Sequence, residues 1–135
     1  MAQQMFVNLP VKDLKRSIEF FTKVGYTFNP QFTDENATCM IIGENIFAML
    51  LVEPYFKSFI HKEVADAKKT AEVIIALNAD SREGVDQLVA KAVAAGATTP
   101  SAAKDYGFMY QHGYQDLDGH LWEVFWMDPK GPPAQ

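Results

Sequence analysis

Residues 116–126 read Asp-Leu-Asp-Gly-His-Leu-Trp-Glu-Val-Phe-Trp, a polar turn running straight into an apolar strand that holds one carboxylate. Side chains alternate along a strand, so Leu121, Glu123 and Phe125 share one face and Trp122, Val124 and Trp126 the other. Two tryptophans and a valine make a face that helices must cover. The opposite face is apolar apart from Glu123, and a carboxylate is costly to bury without a partner. A sheet with helices on one side and a small cavity cupped on the other satisfies both faces. An α+β layered fold with Glu123 in the cavity is the expectation.

The rest of the chain supplies the other strands and the helices. Met5 to Leu9 is an apolar strand ending near Pro10. Asp13 then caps a helix whose apolar positions Leu14, Ile18, Phe21 and Val24 have helical spacing, and Gly25 stops it. Strands follow at Tyr26 to Phe32 (broken by Pro30), Thr38 to Ile42 and Ile46 to Val52, with Glu53-Pro54 as a stop. Phe56, Phe59, Ile60 and Val64 suggest a short helix in the connector. Val73 to Leu77 opens a second series, in which Asp80-Ser81-Arg82-Glu83 starts a helix striped by Val85, Leu88, Val89, Ala92 and Val93 and ended by Gly96. Residues 100–104 read as loop. Phe108 to Tyr114 and Leu121 to Met127 are the closing strands, and Gly131 to Gln135 a frayed tail.

Both series begin alike, with an apolar strand, a short link, a capping Asp (Asp13, Asp80) and a helix closed by Gly. Such a repeat predicts one domain of two βαβββ modules, about 5–53 and 72–129, joined by a connector at 54–71 and followed by a tail at 130–135. Their mixed sheets would be cupped, with the helices outside. The chain's 135 residues suffice for one such domain, and 48% hydrophobic with 21% charged residues is ordinary for a globular protein. A formal charge of -5, with no long basic run, argues against nucleic acid and anionic membrane as partners. The longest apolar run, Ile46 to Val52, falls far short of the ~20 residues of a membrane span. Cys39 is the single cysteine and lies in an apolar run, which suits a buried thiol in a reducing cytoplasm. The opening Met-Ala-Gln-Gln lacks the features of a signal peptide. A cytoplasmic location is expected.

The repeat, the stretch Val11-Lys12-Asp13-Leu14 with Ser17-Ile18-Glu19-Phe20-Phe21, and the run from Asp116 to Glu123 together carry a resemblance. From about Phe6 to Pro129 the chain resembles the vicinal oxygen chelate superfamily of glyoxalases, bleomycin-resistance proteins, fosfomycin-resistance enzymes and extradiol dioxygenases. It looks closest to the branch labelled predicted lactoylglutathione lyases. The resemblance implies a glyoxalase-like fold, a homodimer, and a site on the inner sheet faces. Metal-binding members place ligands on the first and fourth strands, on the strand opening the second module, and at a closing Glu. Glu123 matches the last. The other positions fall on Phe6 (with Asn8 two residues on), within Ala48 to Leu51, and on Ile74, none of them a ligand match. No metal or other cofactor is therefore expected, since a protein-held divalent ion needs about three ligands or more. A rebuilt metal site would use Glu123 with His112, which a two-residue turn at Asp118-Gly119 would set beside Phe125 on the Glu123 side. A bulged turn would shift that register.

The site residues that follow are Glu123 as the catalytic or anchoring acid, with Phe6, Asn8, Met49, Leu50, Tyr110, His112, Tyr114 and Phe125 around a ligand. The tyrosines suit a planar ligand and suit packing equally. Three activities share this cavity. One is binding of a small organic molecule without chemistry, and another is metal-free acid/base catalysis by Glu123. The third is a metal-dependent lyase or isomerase, like lactoylglutathione lyase, with an altered metal site.

Overall fold

The computed structural model describes residues 2–133, so Met1, Ala134 and Gln135, the end of the expected tail, lie outside it. The chain forms two compact units, Met1–Asp66 and Ala67–Gln135. No helix of the described residues is long and apolar enough to cross a membrane.

The first unit contains β1 (Met5–Val11), α1 (Leu14–Val24), β2 (Thr27–Asn29), β3 (Ala37–Gly43), β4 (Ile46–Val52) and α2 (Glu53–Lys57). The second contains β5 (Ile74–Asn78), α3 (Arg82–Ala94), β6 (Lys104–Asp105), β7 (Met109–Gln115) and β8 (Leu121–Met127). Each builds a four-stranded mixed sheet, ordered β1-β4-β3-β2 and β5-β8-β7-β6. In both, the opening strand lies parallel to the last strand of its unit, and the other pairings are antiparallel. A parallel pair needs a crossover, and α1 and α3 begin those crossovers. This is the α+β architecture of paired modules that the repeat predicts.

Local chemistry sets the helix ends. The Asp13 side chain accepts from the Arg16 backbone N–H at 3.1 Å, and Gly25 adopts φ 124° to turn the chain out. The second helix departs from expectation. Its cap is Ser81, whose Oγ accepts from Gly84 N–H at 2.9 Å, and not Asp80. Glu53-Pro54 ends β4 at Val52 as expected, and it also opens α2, because a helix tolerates Pro in its first turn. That helix then covers only Glu53–Lys57, well short of the pattern reaching Val64. Pro10 sits inside β1, which is an edge strand and can spare a donor. Lys104, expected as the end of a loop, joins Asp105 in the short edge strand β6.

Each core lies between one sheet face and its helix. In the first unit Leu9, Val11, Met40, Ala48 and Leu50 are buried, with Leu14, Phe20, Phe21 and Val24 supplied by α1. In the second, Trp122, Val124 and Tyr114 are buried with Val85, Val89 and Ala92 of α3. Trp122 stacks on Tyr114, their centroids 6.3 Å apart. Trp126 shares the face of Trp122 but is only half-buried, and the Arg82 guanidinium lies over its ring at 5.1 Å. Being near the end of the strand leaves it a cation for cover where a helix was expected.

Candidate functional site

Within the second unit, the face of β8 turned away from α3 carries Leu121, Glu123 and Phe125. The register gives Glu123 its neighbours. It pairs with Ala76 of β5 on one side and Gly113 of β7 on the other. Side chains directly opposite across a ladder are the closest neighbours on a sheet face, and here both are minimal. The face is thus hollowed on either side of the carboxylate. A cavity of about 180 Å³ occupies this region, bordered by Ile74, Leu121, Glu123, Gly113, Gln111, Lys104 and the segment from Pro100 to Ala102. The hollow has little slack, since a Cβ added at Gly113 would stand 3.0 Å from the Trp122 carbonyl oxygen and 3.5 Å from Glu123 Cγ.

Glu123 itself is half-buried. Among the described residues its carboxylate makes no hydrogen bond or ion pair. Gln111 and Gln115 stand on the same face, opposite Phe125 and Leu121. Lys104 pairs with Gln111 and so joins this face at its far edge. The result is a single acid in a small hollow, with amides near it and apolar residues at its side.

The tyrosines and His112 sit elsewhere. His112 pairs with Val124, Tyr114 with Trp122 and Tyr110 with Trp126, so all three stand on the α3 face, opposite to Glu123. His112 was expected beside Phe125 on the Glu123 side, but Gln111 takes that place. The turn explains the shift. The connection runs from Asp116 to His120, longer than two residues, with Asp116 N–H donating to the His120 carbonyl and Gly119 N–H to the Asp116 carbonyl. His112 and Tyr114 still border the cavity as neighbours of Gly113 in the strand. Tyr114 is 1% exposed and belongs to the core. Tyr110 donates to Asp86 Oδ1 at 2.6 Å and lies under Arg82, whose guanidinium also bonds Asp105 Oδ2 at 2.7 Å and the Gly107 carbonyl at 2.9 Å. The hydrogen bond to Asp86 raises the Tyr110 pKa, and the one from Arg82 lowers that of Asp105. These contacts make Tyr110 part of the clasp holding residues 105–107 against α3.

The turn also contains a buried acid that the sequence pattern does not single out. Asp116 is 6% exposed. Its carboxylate accepts from Trp122 Nε1 at 2.9 Å and from the N–H groups of Asp118 and His120 at 3.0 Å each. Burial raises its pKa, against the opposing charge of His120 and these hydrogen bonds. Asp116 fixes Trp122, and through it the direction of the strand bearing Glu123. Gly119, at φ 97°, closes the turn against Ala67 and Lys68, where an added Cβ would stand 2.7 Å from backbone atoms.

The first unit presents a different surface. Phe6, Asn8, Phe47, Met49 and Leu51 share the face away from α1. Phe6 stacks on Phe47 with centroids 4.7 Å apart. Leu50, expected beside Met49 around a ligand, is fully buried on the other face, as alternation requires of adjacent residues. A cavity of about 340 Å³ lies over Asn8, Met49, Ala37 and Leu51, rimmed by Phe32, Tyr55 and Phe59. Phe32 and Phe59 are 61% and 64% exposed. Cys39 is a free thiol, buried opposite Met49.

The described residues offer a divalent metal no fitting set. Among the described residues no three of His, Cys, Asp and Glu gather as a group able to hold one. His112 and Glu123, on opposite faces of their sheet, do not form a ligand pair.

Residues 3–43 match the family described as Bleomycin resistance protein-like N-terminal. No curated protein matches the chain. Among solved structures, a hypothetical protein from S. aureus is 30% identical, with 93% of this chain and 94% of that one covered and a TM-score of 0.77. A glyoxalase/bleomycin resistance protein/dioxygenase family enzyme from Burkholderia phytofirmans PsJN is 19% identical over 93% of this chain and 99% of that one, at a TM-score of 0.77. A fosfomycin resistance protein from Mesorhizobium loti is 13% identical over 96% of each chain, at 0.69. The last two share the fold.

Proposed function

We propose that this chain, whose N-terminal family match and fold support a place in the glyoxalase/bleomycin resistance/dioxygenase superfamily, binds a small organic molecule at Glu123. It acts by binding alone or by metal-independent acid/base chemistry at that carboxylate. One observation carries the reading. Glu123 is a half-buried acid that has no protein partner among the described residues, and it borders a cavity beside Gly113. Packing alone would favour an apolar residue there, since the same row in the first unit holds Met49. A group that costs desolvation and gains no internal bond is suited to meeting a ligand.

Ligand-observed NMR with a mixed library of ring-sized fragments tests this. Hits should be displaced in Ala102→Leu, which fills the cavity from an exposed loop position and leaves the core untouched. Hits that bind Ala102→Leu as well as the parent would overturn the reading.

The same reading includes a cytoplasmic homodimer. β1 and β5 are edge strands, and they leave Met5, Phe6, Val73 and Ile74 between 47% and 62% exposed on or beside them. Apolar edges of this kind call for a partner. Light scattering at micromolar concentration should give a dimer mass. A monomer would refute it.

A further inference from the structure

The chemistry of the hollow narrows what it can hold, given the reading above that it is a ligand site. A ligand entering from water must offer Glu123 at least what water offered. The carboxylate is acceptor-only, so the complementary group is a donor, and a charged donor is strongest. Around Glu123 the register places Ala76 and Gly113, with Leu121 beside them on the same face and Ile74 opposite Leu121. These surfaces suit a flat apolar body and offer it no charge. Gln111 and Gln115 can each supply an amide oxygen or N–H at the margin of the face. Among the described residues Lys104 is the one Lys or Arg bordering the cavity, and it is exposed. It lies two strands over and two residues along, roughly 12 Å from Glu123 between Cα atoms by ordinary sheet spacing. Among the described residues no ion pair joins it to the carboxylate. The volume sets the size. About 180 Å³ is close to the roughly 150 Å³ of a cavity that takes up benzene.

We infer that the Glu123 hollow selects a protonated nitrogen base on a single planar ring, such as an amidine or an aromatic methylamine. The charged nitrogen donates to the Glu123 carboxylate, and the ring lies over Gly113 toward Leu121 and Ile74. Gly113 is the specificity residue, because a side chain there would press on Glu123 Cγ and crowd the carboxylate that the ring must reach.

Benzamidine, benzamide and benzoate have nearly the same shape and carry a positive, zero and negative charge. Each is titrated into the full chain while the backbone amide resonances are followed. Benzamidine should shift the amides of Ala76, Gly113 and Glu123 saturably and bind about tenfold more tightly than benzamide. Benzoate should give no saturable shift at these residues. Glu123→Gln should bring benzamidine down to the affinity of benzamide, and Ala102→Leu should weaken both together. The inference is overturned if benzamide or benzoate binds as tightly as benzamidine. It is likewise overturned if the preference survives in Glu123→Gln, or if none of the three moves these amides. Fragment hits that Ala102→Leu displaces, in the absence of a preference for cations, would leave the binding reading standing and remove only this one.

Discussion

The two units carry the same row of three residues with different contents. In the first, Asn8, Met49 and Cys39 lie side by side across β1, β4 and β3. In the second, the row is Ala76, Glu123 and Gly113 across β5, β8 and β7. The rows correspond, since Asn8 precedes the cap Asp13 by the same interval as Ala76 precedes the cap Ser81. One row is filled with soft, medium-sized side chains. The other keeps an acid and strips its neighbours to almost nothing. A duplicated frame has thus made one cavity over Asn8 and Met49, rimmed by aromatics, and one around a charge. Side-chain volume beside the central residue separates the two.

The deepest cut at this difference is through the frame that aims Glu123. Trp122→Ala should cost about 3–5 kcal/mol in a urea titration, because Trp122 is 1% exposed and stacks on Tyr114. A loss below about 1 kcal/mol would mean that the Trp122 face is not the core face of this sheet.

Asp116→Asn tests the acid that holds that tryptophan. The Asn side chain has one acceptor oxygen where Asp116 has two, so Trp122 Nε1 or the two backbone N–H groups lose a partner, at about 1–3 kcal/mol. The pH dependence has a definite sign. Burial raises the folded-state pKa of Asp116 above its unfolded value, so the folded chain holds more protons between the two. The contribution of this group to stability therefore grows as pH falls through the folded pKa toward the ordinary aspartate range, and it is lost as pH climbs back. Urea titrations across mildly acidic pH should find that slope in the parent and a flatter one in Asp116→Asn. Equal slopes would remove Asp116 as the source.

Exchanging the centre of the first row sharpens the contrast directly. Met49→Glu puts an acid between Asn8 and buried Cys39 under the aromatic rim, without the small neighbours that flank Glu123, and should cost about 1–2 kcal/mol. If it is tolerated without loss, neighbour volume does not distinguish the two rows. The smallest effect is expected at Glu123→Gln. Among the described residues the carboxylate has no protein partner to lose, so stability should stay within about 0.5 kcal/mol or rise slightly. A clear loss would mean that Glu123 holds the fold together.

Patterns with a fixed period were legible from the chain. Alternation in Leu121 to Trp126 assigned Glu123 and the core tryptophan to opposite faces, and helical spacing with Asp13 and Gly25 bounded α1. The repeated order of strand and helix implied two modules, and two such sheets are present. These properties depend on residues near in sequence, whose geometry the backbone imposes wherever they sit. What pairs across strands was decided by the folded structure alone. The turn between β7 and β8 closes through Asp116 and Gly119, and that closure sets His112 opposite Val124 and Gly113 opposite Glu123. A shift of one residue would have sent His112 to the acid and Gly113 to the core, because the side-chain period in a strand is two. Ala76 and Gly113 carry no chemistry that a sequence pattern can flag. They matter only through standing on either side of Glu123, a juxtaposition made by hydrogen bonds between segments distant in the chain.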